Sequence, residues 1–472
     1  MSDTTVGSNP AAVAHVPAPP RRSPWEMEAR RSLVARTEQV RKLIWVYFWL
    51  LLFEGSVRKW ALPALADPIL LIRDPIVIWI YVAVFRTGKW PRGAMMALVS
   101  CLAFATFAVG LVALGQPEAT GFGFKGLVAA LYGLRTDFLH LPLLFIMPMF
   151  LCRADVDRIA RCLLIVSAPM AILMAVQFLA PSSSWINSGS DEAFTQIGTA
   201  RGHIRAPGTF SFTSGPALMY ALVSAFVLEA ALTRGRHPRW LIMSAALATG
   251  LAVTVSGSRT TLANVGMVTA FAVVCGTLLQ PGLAWRVVQG AFIAGILAVA
   301  LFQLDVVREG AATLGERFGG QDEVRSGFIY RFLSEFGFTP QQLFDTPLPG
   351  HGLGAGTNVG AMLLSGTRNG FSLGEVEWDH LIGESGPIVG VLIIALRVAC
   401  VVGLLVRSAR SARQGNVLPF LLLGACWAAI ANSVWGQATT LGFAVFGGGL
   451  CAAAMSTYST RSALPAGAEA GG

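Results

Sequence analysis

Two groups of residues in this chain are of types that do chemistry, and both fall in segments that interrupt apolar sequence. The first is Glu375-Val376-Glu377-Trp378-Asp379-His380, followed by Glu384-Ser385-Gly386 and then a long apolar run. A carboxylate or an imidazole placed here can take the proton of an attacking hydroxyl. If the segment is helical, Glu377, His380 and Glu384 share one face, at i, i+3 and i+7. Trp378 offers an apolar face of the kind that stacks on a sugar ring. The plainer alternative is a solvated acidic loop with its tryptophan in the interfacial belt. Histidine with carboxylates also suits several metal ions, but this spacing matches no ligand motif, and no metal is expected.

The second group is cationic. Arg259 stands in Ser256-Gly257-Ser258-Arg259-Thr260-Thr261, between two apolar runs with almost no loop. A guanidinium at a membrane surface is costly unless paired, and it matches phosphate oxygens in bidentate fashion. Arg259 reads as a diphosphate clamp; the alternative is an interfacial arginine snorkelling to water. Arg205, in Arg201-Gly202-His203-Ile204-Arg205-Ala206-Pro207-Gly208-Thr209-Phe210, reads as a second phosphate contact or as a solvated loop residue. Arg201 and His203 are weaker candidates. Arg58-Lys59-Trp60 follows Phe53-Glu54-Gly55-Ser56, and Arg58 is a supporting candidate. Arg73-Asp74, Arg135-Thr136-Asp137 with His140, and Arg397 put charge within or beside apolar runs, as functional groups or as ion pairs between helices. The glycine run Pro349-Gly350-His351-Gly352-Leu353-Gly354-Ala355-Gly356 follows no strand and carries no Walker lysine. It reads as a tightly turned loop rather than a nucleotide loop.

The elements that position these groups follow from composition. Hydrophobic residues make up 54% of the chain and charged residues 13%, with a mean hydropathy of +0.61; a soluble domain carries about twice that share of charge. Apolar runs of spanning length fall at 43–58, 68–86, 94–114, 134–152, 159–180, 212–232, 239–257, 260–279, 285–304, 384–406, 416–434 and 437–455. Segments surrounded by lipid must satisfy their own backbone hydrogen bonds, so the expected fold is an all-α polytopic membrane protein of about twelve transmembrane helices. One large periplasmic loop, 305–383, separates the ninth and tenth helices. Residues 1–42 are expected to form a disordered, basic cytoplasmic amino terminus. Helices one to nine occupy 43–304, helices ten to twelve 384–456, and 457–472 is a cytoplasmic tail. No cleavable signal is expected, because the first apolar run starts behind Arg21, Arg22, Arg30, Arg31, Arg36, Arg41 and Lys42.

The net charge of +9 sits mostly in short loops on alternate sides, where lysine and arginine set orientation rather than bind nucleic acid. Both termini are then inside. The 54–67 turn, the 181–211 loop, the Ser256–Thr261 turn and the long insert are outside. The seven cysteines lie within or at the edge of apolar runs and none in the long insert, so neither a disulfide framework nor a cysteine metal site is supported. Arginines and a carboxylate/imidazole cluster brought to one outer face point to an anionic, lipid-linked substrate.

The order of these landmarks resembles the superfamily of O-antigen ligases and Wzy-type O-antigen polymerases. It runs from Arg205–Phe210 before a middle span, through the Ser256–Arg259 turn, a large outer loop and the Pro349–Gly356 stretch, to Glu384, Gly386 and Gly390 opening the next span. Phe53–Trp60 with Arg73-Asp74-Pro75 is similar to a subgroup tied to exopolysaccharide production. The resemblance implies a glycosyltransferase of the inner membrane, without metal or other cofactor. It would polymerise oligosaccharide repeat units carried on undecaprenyl diphosphate, with a glycan acceptor, and export or chain-length proteins as partners. Arg259 and Arg205 match the arginine positions that hold the diphosphate. The family's His-Asn lies nine residues before the glutamate of Glu-x-Gly; here that position is Glu375, and His380 is out of register. Glu375 is the expected base and His380 the alternative, with Arg58, Glu377, Trp378 and Glu384 in support. The rival readings are a ligase delivering glycan to a lipid acceptor, a transporter or flippase of lipid-linked sugars, and a scaffold without catalysis.

Overall fold

The computed structural model describes residues 23–114, 123–188, 202–233, 236–318, 337, 340–366 and 376–456. Glu375 and Arg201 lie outside the described residues. Within them the chain is helical, with no strands. The principal helices, numbered along the chain, are α1 Pro24–Ser56, α2 Arg73–Arg86, α3 Ala94–Leu114, α4 Phe124–Leu134, α5 Leu143–Phe150, α6 Arg153–Leu179 and α7 Ser214–Leu232. They continue with α8 Arg239–Val255, α9 Arg259–Val274, α10 Ala284–Leu301, α11 Asp305–Phe318, α12 Glu377–Arg413, α13 Leu418–Asn432 and α14 Ala438–Met455.

Each apolar range expected from the sequence falls on a helix. Among the described residues nine helical runs are long and apolar enough to cross a membrane, and α8 and α13 are apolar but shorter. The expected range 43–58 forms the second half of α1 and the turn after it. The start of α1 is fixed locally: Pro24 occupies the first helical position, Ser23 Oγ accepts from the Glu26 amide, and the Glu26 carboxylate accepts from the Ser23 amide.

The polar insert departs from a plain loop. It opens with α11, holds short helices at Pro340–Asp345 and Asn358–Ser365, and α12 begins at Glu377 rather than at 384. Glu377 and Asp379 in its first turn suit the positive end of a helix dipole. Their polarity conceals a helical start from any apolar count.

Burial ranks the helices. In α14, 89% of the apolar window is buried and in α7 78%, against none in α10. The centre is therefore α14 and α7. α14 packs on α13 and α5, and α7 on α9 and α13, while α1 pairs with α2 and α6 with α8. At one end of the bundle, Arg153 joins α6 to Glu229 of α7 and to Asn416 before α13, and Arg236 reaches Asp157 at 2.7 Å. His380, Glu384, Arg58, Arg205 and Arg259 stand at the opposite end.

Candidate functional site

The head of α12 is built around a break. Gly386 has φ 79 and ψ 164, outside the helical region, and Pro387 follows. A break frees carbonyls that the helix would otherwise satisfy. The glycine run answers them: the His351 amide donates to Gly383 O at 2.9 Å and the Gly352 amide to Glu384 O at 3.2 Å. The Glu384 carboxylate completes the junction, accepting from the amides of Gly354 at 3.1 Å and Gly356 at 2.8 Å. His380 lies against the same loop, with Nε2 facing Glu384 Oε1 at 3.5 Å. A Cβ on Gly356 would overlap the His380 ring, so the loop needs glycine there. His380 remains partly exposed while Glu384 behind it is buried.

One helical turn before His380, Glu377 is held by Arg397. Arg397 Nη1 donates to Glu377 Oε1 at 2.8 Å, Nη2 to Asp137 Oδ1 at 3.3 Å, and the guanidinium lies 3.8 Å from the Trp435 ring centroid. Asp137 belongs to a π-helical turn, Arg135–Leu139, which continues α4. Such turns cluster at functional sites and splay neighbouring side chains. Asp137 goes to Arg397, whereas Arg135 Nε and Nη2 grip Asp74 at 2.7 and 3.1 Å. His140 Nε2 also meets Asp74 at 2.8 Å, and its Nδ1 meets Tyr47 Oη at 2.9 Å. Arg73 pairs with Glu54 at 2.6 Å. Every one of these buried charges has an opposite partner on another helix or turn.

Arg58 and Lys59 do not. They are 5% and 4% exposed. Arg58 Nε donates to Ala66 O at 2.7 Å and Nη1 to Ser211 Oγ at 3.1 Å, and Lys59 Nζ donates to Gly208 O at 2.6 Å. All three acceptors are neutral, and among the described residues neither cation has a carboxylate within ion-pair distance. An ammonium carries three donors and a guanidinium five, so several remain unused. Burial pushes the Lys59 amine down to about 7. Both side chains lean on the loop that carries Arg205. Tyr132 of α4 lies within electrostatic reach of Arg58 and Arg135, and Asp137 within reach of His380 and Glu384. The α4–π turn thus lies within electrostatic reach of both the cationic niche and the His380 centre.

His380, Glu377 and Glu384 come together. Arg58 joins Lys59 beside the Arg205 loop, and Arg205 is half-buried in it. Arg259 is the first residue of α9, in its own tight turn, with Gly257 at φ 54. Trp378 packs on the core and donates Nε1–H to Ala431 O at 2.9 Å. Glu375 lies outside the described residues. Arg397 has partners that sequence distance hid, since Asp137 lies 260 residues away. Lys59 and Glu309 carried no role in the sequence reading. The signal for Lys59 was faint: two adjacent cations at the end of an apolar run, with Glu54 four residues before Arg58 but given to Arg73 instead. Among the described residues no group of three or more His, Cys, Asp or Glu side chains is placed to hold a metal. No protein-family model, curated protein or solved structure matches this chain.

Proposed function

We propose that this chain is a glycosyltransferase of the bacterial inner membrane that polymerises undecaprenyl-diphosphate-linked oligosaccharide repeats on the periplasmic side. The observation that carries the reading is the Arg58–Lys59 niche. Two adjacent cations, buried and answered only by neutral acceptors and, for Lys59, the Trp60 ring, are costly unless an anion completes them. A diphosphate does so, with Arg205 and Arg259 at the same end of the bundle as further cationic contacts.

In this reading the acceptor hydroxyl loses its proton to His380. Glu384 faces Nε2, which leaves Nδ1 to receive that proton, and the carboxylate steadies the imidazolium that forms. The hydroxyl oxygen bonds to the anomeric carbon as the bond to the diphosphate oxygen breaks. The departing negative charge is met by cations already in place, which need no reorganisation. His380 is thus favoured over the expected Glu375 as base, and both are tested. A flippase calls for charge left open along a path through the membrane. The intramembrane arginines here are paired with Glu54, Asp74, Asp137 and Glu377, which supports ion pairs that pack helices.

Complementation of a deletion strain with Arg58→Ala, Arg259→Ala, His380→Ala and Glu375→Gln, each checked for membrane abundance, reads polymer length and lipid-linked intermediates. Arg58→Ala and His380→Ala, at normal abundance, are expected to accumulate single lipid-linked repeats. Long polymer from all four variants sinks the proposal. Accumulation of finished lipid-linked glycan instead makes the chain a ligase, and repeats trapped on the cytoplasmic side make it a flippase.

A further inference from the structure

The loop that carries Arg205 is anchored on both sides of it. After Arg205, Gly208 donates its amide to Gln177 Oε1 at 2.8 Å, Gly208 O accepts from Lys59, and Thr209 Oγ1 donates to Leu52 O at 2.7 Å. Before Arg205 the anchor is His203. Its Nδ1 lies 2.9 Å from Phe178 O and its Nε2 2.7 Å from Glu309 Oε1, with the ring stacked on Phe178 at 4.2 Å between centroids.

The donors in this arrangement are set by chemistry. Phe178 O belongs to the last turn of α6, where the helix leaves its own carbonyls unsatisfied. A carbonyl only accepts, so Nδ1 carries the hydrogen. A carboxylate only accepts as well, so a second proton lies between Nε2 and Glu309 Oε1. The clasp is a charged hydrogen bond placed at the negative end of a helix, which favours a cation. Glu309 is itself seated. It belongs to α11, whose Val307 and Thr313 are buried and whose Gly310 rests on the backbone of Thr254, two residues before the turn that leads to Arg259.

We infer that His203 and Glu309 are positioning residues: their clasp fixes the Arg205 loop against α11, and so sets Arg205 relative to the Arg259 turn for an anionic donor. This rests on the reading of the donor as a polyprenyl diphosphate. His203 itself is not a phosphate contact, because both ring nitrogens are engaged.

The test is made on the full-length protein in nanodiscs, with two readouts. The first is tryptic cleavage after Arg201 and Arg205. Glu309→Ala is expected to be cut about tenfold faster, the scale of one lost charged hydrogen bond. Glu309→Gln is expected to be cut at a rate between the wild type and Glu309→Ala, since its amide can donate to Nε2 but the charge is gone. The second is turnover of a lipid-linked donor, where Glu309→Ala should raise KM about tenfold with kcat unchanged, the mark of donor binding lost equally in ground and transition states. Wild-type cleavage in Glu309→Ala overturns the clasp. Faster cleavage with an unchanged KM overturns the positioning role. If the wild-type chain transfers no sugar while the cleavage result holds, the glycosyltransferase reading falls and the loop anchor stands.

Discussion

Arg73 and Arg58 are buried to nearly the same degree at the same end of the molecule, yet they are built into it differently. Arg73 is 2% exposed and sits on Glu54 at 2.6 Å. Arg58 is 5% exposed and hydrogen-bonds to a backbone oxygen and a hydroxyl. Lys59 repeats the second pattern, and Arg397, between Glu377 and Asp137, repeats the first. A charge answered inside the protein holds helices together. A charge left with neutral acceptors holds little and is available to an anion from outside.

That contrast gives opposite orders for stability and activity. Arg73→Met leaves Glu54 buried without a partner, and should cost about 3–5 kcal/mol. Arg58→Met strands two neutral acceptors and should cost less than about 2 kcal/mol. Thermal unfolding of the purified protein compares them, and equal losses would erase the distinction between frame and niche. Adding Glu54→Leu to Arg73→Met should recover most of the stability, because removing both partners leaves no buried charge.

Activity should run the other way. The folded Arg58→Met protein is expected to lose about 10²–10³ in kcat, the scale for removing one donor to a developing anion. The Arg73→Met, Glu54→Leu pair should stay near wild type in the same polymerisation assay. A large loss in that pair would place Arg73 in the chemistry and not in the frame.

The smallest effect concerns pH. Burial brings the Lys59 amine to about 7. It is charged below that value and neutral above it, so its attraction for an anion weakens as pH rises. Binding of inorganic pyrophosphate, taken relative to Lys59→Arg, should fall about tenfold between pH 6 and 8. In Lys59→Arg the cation stays charged throughout, so the ratio cancels the ligand's own titration. A flat ratio assigns the titration to another group.

Much of the frame was legible in the sequence, because lipid leaves an apolar segment little choice but helix. Arg73 and Asp74 were readable as charges that pair with other helices, and they do. The start of α12 was not legible, since Glu377, Asp379 and Glu384 look like loop residues until their partners are known. Those partners are remote: Arg397 lies 20 residues on, and Gly354 and Gly356 donate from 30 and 28 residues back. Local spacing misled once. Glu54 and Arg58 stand at i and i+4, the usual helical ion pair, but Arg73 takes the carboxylate and Arg58 is left to neutral acceptors. The burial of Lys59 comes from a loop 149 residues away that folds over it.

The break at Gly386 divides the longest helix into a shaft and a head. The head shares backbone hydrogen bonds with the glycine run, through His351 with Gly383 and Gly352 with Glu384. Mechanically, loop and head are therefore one piece, joined to the shaft through the break and through the Arg397–Glu377 ion pair. Hydrogen exchange at the His351 and Gly352 amides would then report the opening that parts the glycine run from the head carrying His380 and Glu384.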